Sequence, residues 1–237
     1  MNRPANARPA AGAAPAARRP PGRPAADDAV SSETILRVAL HAFATYGYEG
    51  VSVRMLNREL GGSHSLVNQR FGSKAALWRA AADYGFGRIT SDLAEVFDPT
   101  VTDPLEQLHR WIRRFLELSA RHPELVGLVN LEGREDSPRL AYLYDTYIAT
   151  AMSRVGLLLS HLAGTGRIRP IPLRTFYFLV IHGGAASHTL IGLAQRFDPA
   201  SPLAPGEVEE NAALVADLLI AGLRLPPDLD QSRKKPS

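Results

Sequence analysis

Asn68, Gln69 and Arg70 stand consecutively, and Phe71-Gly72-Ser73-Lys74 follows them. Asn and Gln can each make two hydrogen bonds to adenine, and Arg can do the same to guanine or grip a phosphate. Gly-Ser-Lys suggests a second chemistry, a loop that cradles the phosphates of a nucleotide. Such a P-loop has the order G-x-x-x-x-G-K-[ST] and follows a buried strand. Here the order is Gly72-Ser73-Lys74, the preceding pattern is helical, and no acidic strand follows. The nucleotide reading fails on order, spacing and context.

Other catalytic arrangements are missing too. The chain has no cysteine, which excludes disulfides, thiolate nucleophiles and Cys-bound zinc. It contains no G-x-S-x-G and no H-E-x-x-H. His182 and His188 are six residues apart, about 240° around a helix, so they cannot share a face. Glu132, Glu135 and Asp136 cluster at a helix end and read as a solvated face. No enzyme, cofactor or metal is expected.

The surrounding elements frame the polar triplet as a reader of DNA. Ile35, Leu36, Ala39, Leu40, Ala42 and Phe43 recur at helical spacing behind Ser32, a suitable N-cap, and Gly47 ends that helix. Ser52 caps a short helix that Gly61-Gly62 ends. Ser63 caps a third helix through Phe71, and Ser73 caps a fourth. Val67 and Phe71, at i and i+4, should face the core, which turns His64, Ser65, Asn68 and Gln69 outward. A Gly turn before a polar second helix suits the major groove. The helix starts behind Ser63 and Ser73, with Lys74, suit phosphate oxygens. Ser52 and Arg54 complete the DNA-contact candidates.

Residues Ile35 to Ala80 resemble the DNA-binding domain of the TetR family of bacterial transcriptional regulators. The resemblance rests on ILRVALHAFATYGYEG, on SVRMLNRELG, and on S-x-x-x-V-x-x-x-F-G-S-K-x-x-L from Ser63 to Leu77. The body is similar more loosely, through RHPELVGLVNLEGREDSPRL. Four positions depart from the family pattern. Asn57 replaces a small Ala, Gly62 an apolar residue, Asn68 a phosphate-touching Tyr, and Arg70 a common His.

The remainder reads as helices 75–96, 104–120, 123–131, 138–162, 173–196 and 207–225, so the fold class is all-α with about nine helices. Residues 31–78 form the expected helix-turn-helix domain and 79–225 a helical effector-binding and dimerisation domain. Residues 1–30 and 226–237 are expected to be disordered tails. The first of these is rich in Ala, Pro and Arg, and its arginines could enter a minor groove.

Charge follows the same division. Residues 31–88 carry 7 basic against 4 acidic side chains, and residues 89–225 carry 12 against 16. A basic front on an acidic body suits one end that meets a polyanion. Hydrophobic content of 45% and charged content of 22% are ordinary for a soluble globular protein, here expected in the cytoplasm without a membrane partner.

The resemblance implies a homodimer on a palindromic double-stranded operator and an unknown small-molecule effector. A repressor is favoured over an activator. One recognition helix spans only a few base pairs, so two are needed. Phe178, His182, Ala186, Leu214 and Leu218, on the last two helices, are the dimer candidates. Trp111, Phe115, Tyr142, Tyr147 and Phe176 are the pocket candidates. The alternative is a helical ligand-binding or scaffold protein that keeps this fold without reading DNA.

Overall fold

The structure, a computed structural model, describes residues 30–97 and 100–225. The two expected tails lie outside the described residues, Val30 excepted. The sequence expectation of an all-α fold holds, the sole β feature among the described residues being an isolated antiparallel bridge between Ile168 and Arg224. No helix among the described residues is long and apolar enough to cross a membrane.

The described residues begin with a long helix and two short ones: α1 (Ser32–Gly50), α2 (Val53–Glu59) and α3 (Leu66–Phe71). Serine hydroxyls start two of them. Ser31, one residue before the expected cap, accepts from Thr34 N at 3.1 Å, and Ser52 accepts from Met55 N at 3.1 Å. Glycines supply the breaks. Gly47 interrupts α1 at φ 69°, and Gly61 and Gly72 close α2 and α3 at φ 62° and 75°. A side chain at these angles would be strained, which is why these positions were readable as stops.

Then come α4 (Lys74–Ala94), α5 (Pro104–Arg121), α6 (Pro123–Glu132), α7 (Pro138–Leu143) and α8 (Ala149–Gly164). The C-terminal part holds α9 (Leu173–Phe178), α10 (Ala186–Thr189), α11 (Ile191–Phe197) and α12 (Pro205–Leu223). Two helices that read as continuous are not uniformly α. A π-helical turn, Tyr144–Ile148, joins α7 to α8, and another, Leu179–Gly184, follows α9. The expected helix 173–196 breaks again at Leu190 (φ −105°, ψ 50°). Period-3.6 patterning cannot register one extra residue in a turn, so the sequence merged these pieces.

The described residues form two hydrophobic cores. One gathers Ile35, Phe43, Leu56, Leu66, Val67 and Trp78 with Leu125, Leu128 and Leu143 of the body. The other is built on Leu108, Trp111, Ile112, Leu116, Val155 and Phe176. α4 contributes Leu77, Trp78 and Phe86 to the first and Leu93 to the second, with Ile89 packed against both.

His188 is fully buried, and neither ring nitrogen has a hydrogen-bond partner among the described residues. Burial holds its pKa below the ordinary histidine value. The folded state therefore binds this proton less readily than the unfolded chain. Its contribution is complete above about pH 6.5 and is lost as pH falls below that value. Between pH 7 and 5 the wild-type Tm is expected to drop more than that of His188→Leu; parallel Tm-versus-pH curves would contradict this.

Candidate functional site

The turn between α2 and α3 is fastened by a buried polar residue. Asn57, 1% exposed, donates from Nδ2 to the carbonyl of His64 at 2.7 Å. Its Oδ1 accepts from Val67 N at 3.1 Å. Both halves of the amide are thus satisfied, as burial requires. The α3 start differs from expectation. Ser63 does not cap it; the helix begins at Leu66, and the Ser63 hydroxyl bonds instead to Ser65, 3.1 Å from its Oγ. Leu66 N bonds to the Ser63 carbonyl at 3.2 Å and Val67 N to Asn57. Those two amides are therefore engaged rather than open to phosphate.

Gly62 leaves room for Leu66. A Cβ there would lie 2.4 Å from Leu66 Cδ2, so the small residue and the buried leucine go together. Leu66 and Val67 are fully buried, and Phe71 packs against the same core. His64, Asn68, Gln69 and Arg70 are left exposed. Gln69 Nε2 donates to Ser65 Oγ at 3.0 Å, and Arg70 Nη1 donates to Ser32 Oγ at 3.3 Å. Arg70 therefore leans toward the start of α1, whereas Gln69 lies along its own helix.

Beside this face, Ser52, Arg54, Arg58, Gly61, Gly62 and His64 border an open groove of about 480 Å³. Arg58 was missed by sequence reasoning. Its signal was available, since Arg54 and Arg58 are i and i+4 on α2 and share a face. Ser73 caps α4 by accepting from Ala76 N at 3.1 Å. Lys74 does not extend freely: its Nζ sits 4.3 Å from the Tyr48 ring centroid, and Arg139 Cζ sits 4.2 Å from the same centroid. Glu132, expected on a solvated face, is 7% exposed and accepts both of its 2.9 Å contacts from Arg139 Nε. Glu135 and Asp136 are exposed as expected.

In the body, Trp111, Phe115 and Tyr147 line a small apolar cavity of about 80 Å³, bounded on the α4 side by Phe86, Ile89 and Leu93. Tyr142 and Phe176 lie outside that lining. Phe176 is 1% exposed and packs on Trp111 at 6.2 Å between centroids. The hydroxyls of Tyr142 and Tyr147 both donate to Asp83 Oδ1 on α4, at 2.6 and 2.5 Å. Tyr142 is raised above the ordinary phenol value chiefly by that hydrogen bond, and Tyr147 chiefly by burial with the same bond added.

A larger cavity of about 690 Å³ adjoins the first and shares Val129, Ile148, Met152 and Tyr177 with it. Each π-helical turn contributes to both walls: Tyr144 and Ile148 from one, Ile181 and His182 from the other. Phe178 and His182 border the larger cavity and stack at 5.2 Å. Phe178, His182, Leu214 and Leu218 are exposed, and Ala186 is half-buried.

A helix-turn-helix with an exposed polar α3, joined to a helical body, is what the comparisons with known proteins match. Residues 35–81 match the model of the bacterial regulatory proteins of the tetR family. The chain carries a TetR-type DNA-binding domain. It is 26% identical over 204 residues to the HTH-type transcriptional repressor AcnR of Corynebacterium efficiens, covering 83% of this chain and 94% of that one. In fold it is similar to the ketosteroid transcriptional regulator KstR2 of Mycobacterium tuberculosis, with TM-score 0.66 and 17% identity, covering 83% of this chain and 96% of that one. The TetR-family regulator PfmR of Thermus thermophilus has TM-score 0.58 and 20% identity, covering 83% and 99%. The protein is a DNA-binding transcriptional regulator. TetR regulators bind DNA operators and typically act as dimers.

Within the TetR-type domain, the Asn57 amide carries a testable load. Asn57→Ala leaves the His64 carbonyl and the Val67 amide without their partner, a loss of about 1–3 kcal/mol for buried groups. Urea denaturation should show a lower midpoint at unchanged slope, and an unmoved midpoint would remove the fastening role.

Proposed function

We propose that this regulator is an effector-responsive repressor that binds a palindromic operator as a homodimer, with the exposed face of α3 as its reader. The observation that carries the proposal is the position of α4. Its first turn follows the reading helix, its middle holds Asp83 under Tyr142 and Tyr147, and its later turns wall the inner cavity. A molecule in that cavity would press on Tyr147 and on α4 together. Asp83 lies nine residues from Lys74, about 14 Å along the helix. A ligand that fits one setting of α4 better than another shifts the balance between them, and only by that difference.

In this reading Asn68 and Gln69 contact base edges. Arg54, Arg58, Ser52, Ser63, Ser65, His64 and Ser73 hold the DNA backbone with Lys74, and Arg70 contributes from the α1 side. A gel shift on DNA flanking the protein's own gene tests the whole; absence of competitor-resistant binding at moderate salt would defeat it. Asn68→Ala or Gln69→Ala should weaken specific binding by about 1–3 kcal/mol while leaving non-specific affinity nearly unchanged. Lys74→Ala should instead weaken binding to every sequence and lower the salt slope by about one. Equal losses on all DNA for the first pair would reassign them to backbone.

The dimer face is proposed on the C-terminal helices. Phe178, Leu179, Leu190, Leu193, Leu214 and Leu218 are 45–63% exposed, an apolar area that soluble chains rarely leave to water. Pairing with a second copy would bury it in a self-complementary contact. The variant Leu214→Glu/Leu218→Glu is expected to sediment as a monomer and to lose operator binding. A variant that stays dimeric would place the interface elsewhere.

A further inference from the structure

The two adjoining cavities differ in chemistry, and the difference points to one kind of ligand. The inner wall is largely carbon. Three of its polar groups are already engaged: Ser119 Oγ donates to the Phe115 carbonyl at 2.8 Å, Tyr147 donates to Asp83, and His122 lies 3.5 Å from Glu124. Tyr177 differs. It lies at the junction, lining both cavities, and its hydroxyl makes no hydrogen bond among the described residues. Burial raises its pKa to about 12, so near neutral pH it remains a donor.

One helical turn before it, Arg174 stands on the wall of the larger cavity. The i,i+3 spacing on α9 sets the two side chains on one face. Arg174 has no ion pair or hydrogen bond among the described residues. Several other arginines of the body are paired: Arg110 with Glu106, Arg114 with Asp92, Arg139 with Glu132 and Arg167 with Asp103. A hydroxyl donor and a guanidinium together offer donors and positive charge. Their complement is a group that only accepts, and a carboxylate is the simplest.

We propose that the effector is an anionic amphiphile, a hydrocarbon acid whose apolar end enters the inner cavity and whose acid group rests on Tyr177 and Arg174. This rests on the reading of the cavities as the effector site. Phe178 and His182 would flank the acid group, and both belong to the face proposed for pairing. Ligand occupancy and dimer geometry would then be felt by the same two side chains.

The test uses the full chain and calorimetric titration with hexanoate, octanoate, decanoate and decanol, each below its aggregation limit, followed by release of bound DNA. Wild-type protein should bind decanoate at least about ten-fold tighter than decanol, as a charge-assisted hydrogen bond allows. Arg174→Gln and Tyr177→Phe should each erase most of that preference while leaving decanol affinity and Tm unchanged. Affinity should rise about four-fold with each added methylene, since burying one is worth about 0.8 kcal/mol.

Equal binding of decanoate and decanol, or a preference that survives Arg174→Gln, would overturn the assignment of the acid group and leave the cavity reading standing. So would an Arg174→Gln variant that changes the sedimenting species but not the affinities. A flat chain-length series, or no binding of any probe, would overturn the cavity reading and this proposal with it.

Discussion

α4 has to satisfy two cores at once, and most of the architecture follows from that. Leu77, Trp78 and Phe86 are fixed by the N-terminal core, Leu93 is fixed by the C-terminal one, and Ile89 touches both. Close-packed interiors deform little, so a helix clamped at both ends moves as a rod or hardly at all. The N-terminal core is also not sealed at the end of the DNA-binding segment. Leu125, Leu128 and Leu143 enter it from the body, and Gly85 lets Leu40 and Leu125 approach α4, with Leu125 Cδ2 2.5 Å from where its Cβ would stand.

Polar groups then choose among the packings that such apolar contacts would tolerate. Asn57 fastens α2 to the start of α3 by holding one backbone donor and one backbone acceptor there. Glu132 and Arg139 act similarly at the start of α7. The buried carboxylate fixes the guanidinium, which lies against Tyr48 beside Lys74. A buried ion pair adds little net stability, because desolvating both charges offsets their attraction. Its value here is orientation, since it connects the body to the first turn of α4.

What the sequence made legible was local. Gly47, Gly61 and Gly72 announced their breaks because only glycine adopts those angles without strain, and the serines before α2 and α4 announced the starts. The inward turn of Val67 and Phe71, and with it the outward face of α3, follows from helical spacing alone, whereas the burial of Leu66 does not. Long-range partners were not legible. Nothing in the neighbourhood of Asn57 says that its amide reaches ten residues on, and nothing around Glu132 says that it is covered. Among the aromatic candidates, Trp111, Phe115 and Tyr147 lie on the cavity wall. Spacing could not separate them from Phe176, which fills core, or from Tyr142, which faces Asp83.

The π-helical turns Tyr144–Ile148 and Leu179–Gly184 each carry one residue more than an α turn needs. Each works as a shim in the screw of its helix. Removing a single residue from the first would let α7 run into α8 on an unbroken α thread. The helix on either side would keep its face, and Met152 would stay by the wall it shares between the two cavities. The same loss from the α-helical turns beside it has no extra residue to absorb it, and would turn everything beyond by about 100°. The two π turns are therefore the places where these helices can shorten by a residue without re-cutting the cavity walls.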